Sequence, residues 1–210
     1  MIEFRSKEIL SSMFIFGTSV TLIFALAFQV NQSIMQQFAP GLFWVVIFFT
    51  SVLGLNRLFI RERDANALWT WVGGPVDRGD AYVAKVIVSI LLILISVLLF
   101  LIPFFIFLNL STNFSWVHFS SILILGIGGL STIGCVISGL TLQAGLRDVL
   151  IPILFFPSAS PVIIATTKST ELIFRQKPVS EWQFWVLILL TFFVIFGLFG
   201  YLIFNRVVEE

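Results

Sequence analysis

Two long stretches of the chain carry no formal charge, residues 9–56 and residues 86–146. A helix needs about 20 apolar residues to cross a hydrocarbon core roughly 30 Å thick, so each stretch is too long for one crossing. Polar groups divide them. Gln29, Asn31, Gln32, Ser33, Gln36 and Gln37 interrupt the first; Asn109, Ser111, Thr112, Asn113 and Ser115 interrupt the second. Two more apolar segments follow. The pattern predicts spans at 13–30, 40–55, 81–108, 116–142, 149–167 and 182–204. Pro40 is read into the first turn of the second span, where a missing N–H costs nothing. Asp80 is read as an N-cap of the third. The fold class expected is an all-α, polytopic integral membrane protein with six transmembrane helices in a single domain over residues 1–210.

Between the second and third spans lies a polar segment, residues 56–80, with Lys85 just beyond it. The region holds the basic residues Arg57, Arg61, Arg63, Arg78 and Lys85 and the acids Glu62, Asp64, Asp77 and Asp80. From Leu58 to Val72 the periodicity is helical. Leu58, Ala65, Leu68, Trp69 and Val72 fall on one stripe, with Arg63, Asn66 and Thr70 opposite. Gly73-Gly74-Pro75 ends that helix, and Pro75-Val-Asp-Arg-Gly79 reads as a turn. Lys85 is expected to snorkel toward headgroups. A solvated loop and a helix gripped by a soluble partner both fit the pattern.

Composition agrees with a membrane protein. The 210 residues are 59% hydrophobic and 11% charged, against about 25% charged in soluble domains. Mean hydropathy is +1.07. A net charge of +1 gives no argument for nucleic acid as a partner. The basic residues set orientation. Arg5, Lys7, the five of the polar region, Arg147 and Arg206 fall on one side; Lys168, Arg175 and Lys177 fall on the other. This places both termini and the polar segment in the cytoplasm. A cleaved signal peptide ending at Ala25-Leu-Ala27 is the rival reading, but the apolar run is long enough to span. Residues 1–12 are expected to form a short amphipathic segment on the membrane surface.

Several spans carry further features. The third has Pro103, which should bend it. The fourth has Gly126, Gly128, Gly129, Gly134 and Gly139, small residues that let helices approach closely, within one subunit or between two. The fifth has Pro152, Pro157 and Pro161 and is expected to be kinked or partly re-entrant, with residues 168–181 as an outer loop. Cys135, the single cysteine, excludes an internal disulfide. No G-x-x-x-x-G-K-[ST] stretch occurs, so nucleotide phosphates have no P-loop here. No H-E-x-x-H or G-x-S-x-G occurs either, and the chain is not expected to be an enzyme.

Residues 59–85 resemble the segment between the second and third spans of ATP-binding-cassette export permeases: a charged R-E-R cluster, then A-L, P-V-D-R and a lysine opening the next helix. With Ala39-Pro-Gly-Leu-Phe-Trp44, Ser138-Gly-Leu-Thr141, Leu146-Arg-Asp-Val-Leu-Ile-Pro152 and Phe156-Pro-Ser-Ala-Ser-Pro161, the chain resembles the CcmB (haem exporter protein B) permeases of cytochrome c maturation over nearly its whole length. It departs from part of that family at Asn56, where a Glu often stands, and at Asn66-Ala67-Leu68-Trp69, where Gly-Ser-Leu-Glu is common. The resemblance implies an exporter-permease architecture of the ABC-2 type, with a cytoplasmic coupling helix and a bacterial inner-membrane location. It implies a cytoplasmic ATPase subunit that hydrolyses ATP, other cytochrome c maturation membrane proteins, a haem chaperone, and haem as the handled ligand. No cofactor is expected in this chain. Arg57, Arg61, Glu62, Arg63, Asp64, Leu68 and Trp69 would then contact the ATPase, and Pro75, Asp77 and Arg78 would fix the transmitting turn. His118, the only histidine, is the candidate haem contact; a lone histidine beside Trp116 also reads as an interfacial polar residue. An exporter for lipid, polysaccharide or drug, and a scaffold without an ATPase, remain open alternatives.

Overall fold

The computed structural model describes residues 2–27, 32–64, 78–141 and 147–207. These form six helices and, among the described residues, no strand: α1 (Ile2–Ala27), α2 (Gln32–Asp64), α3 (Arg78–Phe107), α4 (Trp116–Leu140), α5 (Arg147–Phe174) and α6 (Val179–Val207). All six contain a stretch long and apolar enough to cross a membrane. The expected all-α class and six spans are therefore found. Helices are what lipid demands, because every backbone N–H and C=O must be satisfied within its own segment there.

α4 is the axis of the bundle. It packs on α2, α3, α5 and α6, while α1 lies outside against α2 and α3. Burial follows: 83% of the most apolar stretch of α4 is buried, 72% of that of α2, and 11% of that of α6. The glycines of α4 make this possible. A Cβ on Gly126 would lie 2.5 Å from the Trp44 ring and 2.6 Å from Thr166 Cγ2; one on Gly134 would lie 2.2 Å from Leu55. One on Gly128 would meet Phe193 at 2.9 Å. The glycine face is thus filled from within one chain. Trp44 is fully buried and donates its ring N–H to Thr170 Oγ1 at 2.9 Å, tying α2 to α5.

Three expectations are corrected. α5 is a single 28-residue helix through all three prolines, so of the two expected forms, kinked or partly re-entrant, the re-entrant one is overturned. Pro161 removes the N–H that would bond the Pro157 carbonyl. The Ser160 hydroxyl donates to that carbonyl instead, at 2.8 Å. The segment 168–181 is mostly helical as well. α5 runs to Phe174, Gln176 adopts positive φ, and α6 begins at Val179. The Gln176 N–H bonds the Ile173 carbonyl and the Lys177 N–H the Leu172 carbonyl, which closes the helix end in a Schellman turn. Pro40 is inside α2, two turns after its start at Gln32, because the polar residues 32–37 join the helix rather than precede it.

A substitution test follows from α4. Gly126→Ala should cost about 1–3 kcal/mol, since the Trp44 ring is wedged and cannot retreat. Gly41→Ala meets only Thr167 Cγ2 at 3.7 Å and should be neutral or stabilising by up to about 1 kcal/mol, through helix propensity. Unfolding in detergent with a denaturant series would separate the two.

Candidate coupling end of the bundle

The polar segment joins α2 to α3. Its first part is not a separate helix. α2 continues unbroken through Arg57, Arg61, Glu62 and Arg63 to Asp64. At 33 residues and 1.5 Å per residue, α2 is about 50 Å long, against a hydrocarbon core of about 30 Å. The apolar stretch ends at Leu58, so the charged turns are the extension beyond it. The Arg57 side chain is exposed. Leu68, Trp69, Pro75 and Asp77 lie outside the described residues. Arg78 is the first residue of α3.

The structure adds a contact that periodicity did not reveal. Immediately after Arg78, α3 is fastened to α6 by two tyrosine–glycine pairs running in opposite senses. The ring of Tyr82 sits where a Cβ on Gly200 would be, 2.1 Å from it. The ring of Tyr201 sits on Gly79 in the same way, at 2.4 Å. Tyr82 is 1% exposed. Its hydroxyl donates to the Phe196 carbonyl at 3.0 Å, with the Thr132 carbonyl of α4 at 3.3 Å. Phe204 of α6 completes the cluster. It packs on Gly139 of α4, against Tyr82 with ring centroids 5.1 Å apart, and beneath Lys85 Nζ at 5.8 Å. Lys85 is 5% exposed, so it is turned into the bundle rather than outward, with the ring face of Phe204 among its neighbours. The signal was present in the sequence. The chain has two tyrosines, each next to or three residues from a glycine, at span ends that the charge pattern assigns to one side.

The opposite end is rich in aromatic rings. Phe114 stacks near Phe174 and Trp116, with centroids 4.6 and 4.8 Å away, and the Gln176 side-chain amide donates to the Asn113 carbonyl. His118 lies here, half-buried, edge-on to Trp182 at 5.1 Å, and lines a cavity of about 320 Å³. Among the described residues no group of three His, Cys, Asp or Glu is placed to hold a metal ion.

The six helices of the described residues, with a charged connection between the second and third, are the layout of a polytopic membrane protein. The family profile described as "CcmB protein" matches residues 1–200. The chain belongs to the CcmB family. Two similar relatives are each named "Heme exporter protein B". That of Pseudomonas aeruginosa is 27% identical over 183 residues, 87% of this chain and 82% of the relative. That of Haemophilus influenzae is 28% identical over 169 residues, 80% of this chain and 75% of the relative. The resemblance drawn from the motifs is thus found across the chain, and it makes this CcmB-family chain a multi-pass membrane protein.

The tyrosine pairs give a second test. Tyr82→Phe should cost about 0.5–1.5 kcal/mol, one net hydrogen bond. Gly200→Ala should cost more, because the rigid ring has no room to give. In a Tyr82→Ala background most of the Gly200→Ala cost should vanish, and a double-mutant cycle on unfolding free energies reads that coupling directly.

Proposed function

We propose that this chain is the membrane permease subunit of an ATP-binding-cassette complex acting in cytochrome c maturation, by haem export or by ATP-driven release of a haem-loaded chaperone. The observation that carries the reading is the family match over residues 1–200 on a chain whose described residues form six helices, with α2 extending as a charged helix beyond its span. ATP is bound and hydrolysed on a cytoplasmic partner subunit. The other partners are cytochrome c maturation membrane proteins and a haem chaperone, in a bacterial inner membrane with both termini cytoplasmic.

The mechanism is mechanical. The ATPase closes on ATP and displaces the 56–80 segment, through contacts at Arg57, Arg61, Glu62, Arg63, Asp64, Leu68 and Trp69. Pro75, Asp77 and Arg78 hold the turn into α3. The Tyr82–Gly200 and Tyr201–Gly79 pairs then oblige α6 to follow the start of α3, and Phe204 against Gly139 carries the displacement to α4. Pro103 of α3 is where the outer half of that helix turns relative to the inner half. A lone imidazole already packed on Trp182 is assigned a packing role in this reading, so His118→Ala retains haem handling.

The deciding experiment is a charge reversal. Glu62→Arg with Arg63→Glu should abolish cytochrome c yield and ATPase co-purification while membrane insertion and protein level stay normal. Unchanged cytochrome c yield would remove the contact assignment. Co-purification with lipid- or glycan-export proteins would reassign the substrate. Absence of any ATPase from mild-detergent pull-downs would leave a scaffold.

A further inference from the structure

At the end of the bundle away from the 56–80 segment, a cavity of about 460 Å³ opens between the start of α2, the α3–α4 connection and the end of α5. Gln36, Gln37, Ser111, Glu171 and Arg175 line it together with apolar Leu110 and Phe174. Three observations say what fits there.

Three charges meet at Glu171, and the two that line the cavity, Glu171 and Arg175, are of opposite sign. Arg175 meets Glu171 at 2.9 Å, and Lys168 meets the other oxygen of Glu171 at 3.0 Å. A bare anion would face the carboxylate, and a bare cation would face the guanidinium. A ligand with both signs satisfies both. Arg175 retains the capacity for it, because a guanidinium carries five donors in a fork suited to phosphate oxygens.

The backbone offers an acceptor. Pro40 lies inside α2 and has no N–H, so the Gln36 carbonyl lacks its helical donor. Gln36 and Pro40 both line the cavity. A donor from outside the helix, such as an ammonium N–H, completes that carbonyl.

The position along the helices suits a lipid headgroup. The lining comes from helix ends, at the level where the aromatic and polar residues of membrane proteins meet the interface. Phe38, beside Gln37, is 65% exposed, and Ile34 is 39% exposed. They present apolar surface next to the polar lining, where acyl chains descend.

We propose that this cavity binds the headgroup of a phospholipid that carries a phosphate and a primary ammonium. The phosphate takes donors from Arg175 and Ser111. The ammonium gives its N–H groups to Glu171 and to the Gln36 carbonyl. A quaternary ammonium has no N–H to give, and a glycerol headgroup brings no positive charge to Glu171. Both are therefore discriminated against. The site is independent of the ATPase contacts assigned above.

The test uses the full chain, delipidated in mild detergent and offered phosphatidylethanolamine, phosphatidylglycerol and phosphatidylcholine with matched acyl chains. Native mass spectrometry counts the lipids retained. One phosphatidylethanolamine should be kept in preference to the other two, and free phosphoethanolamine should not displace it. Arg175→Gln should lower its retention about ten-fold or more, the scale of one charge-assisted hydrogen bond. Pro40→Ala returns the helical N–H, so it should leave thermal stability equal or higher while narrowing the preference for ethanolamine over choline. Equal retention of the three lipids would overturn the proposal. So would retention unmoved by both variants, displacement by the free headgroup, or a co-purifying polypeptide in place of lipid.

Discussion

The bundle depends on how closely other helices can approach α4. In lipid, bringing two helices together expels little water, so the gain must come from contact between surfaces. Glycine supplies it. Trp44, Val162, Leu55 and Phe193 all reach positions on α4 that a side chain would occupy. The most buried helix is therefore the one with the smallest residues, and the large residues around it belong to its neighbours. α6 shows the converse, with Phe184, Leu187, Leu198 and Leu202 turned outward, where lipid tails are as good a partner as protein.

Some hydroxyls inside the bundle obey the same accounting, while those of Thr50, Ser131, Ser138 and Ser169 are buried without a hydrogen-bond partner among the described residues. Thr21, Ser51, Thr132 and Thr166 each donate to a carbonyl three or four residues earlier in their own helix. Such back-bonding is unfavourable for a helix in water, where solvent competes. In lipid the alternative is an unsatisfied hydroxyl, so back-bonding is favoured there. Ser160 shows how far this reaches: its hydroxyl restores a bond that Pro161 took away, and α5 stays whole.

Much of this was legible in the sequence. Six spans, the charged segment and the glycines of α4 follow from hydropathy and spacing, because lipid permits so few backbone solutions. The misses have a common cause. Pro40, the three prolines of α5 and the 168–181 segment were judged by rules calibrated in water, where proline and polar residues end helices. Here flanking hydroxyls and continuing hydrogen bonds carried the helix on. Lys85 was misplaced because a lysine near a span end usually reaches outward; only the three-dimensional position of Phe204 reveals its inward partner. The tyrosine pairs depend on contacts between residues 114 to 122 positions apart in the sequence, so the tyrosines and glycines at the span ends mark the partners without giving the pairing.

Those pairs have a practical consequence. The chain contains two tyrosines and no others, and both belong to the α3–α6 contact. Any signal specific to phenol groups, whether ultraviolet resonance Raman or the fluorine resonance of incorporated fluorotyrosine, therefore originates wholly at that junction. Nature has in effect installed a two-site spectroscopic reporter where the charged segment enters the bundle, with no background from elsewhere in the polypeptide.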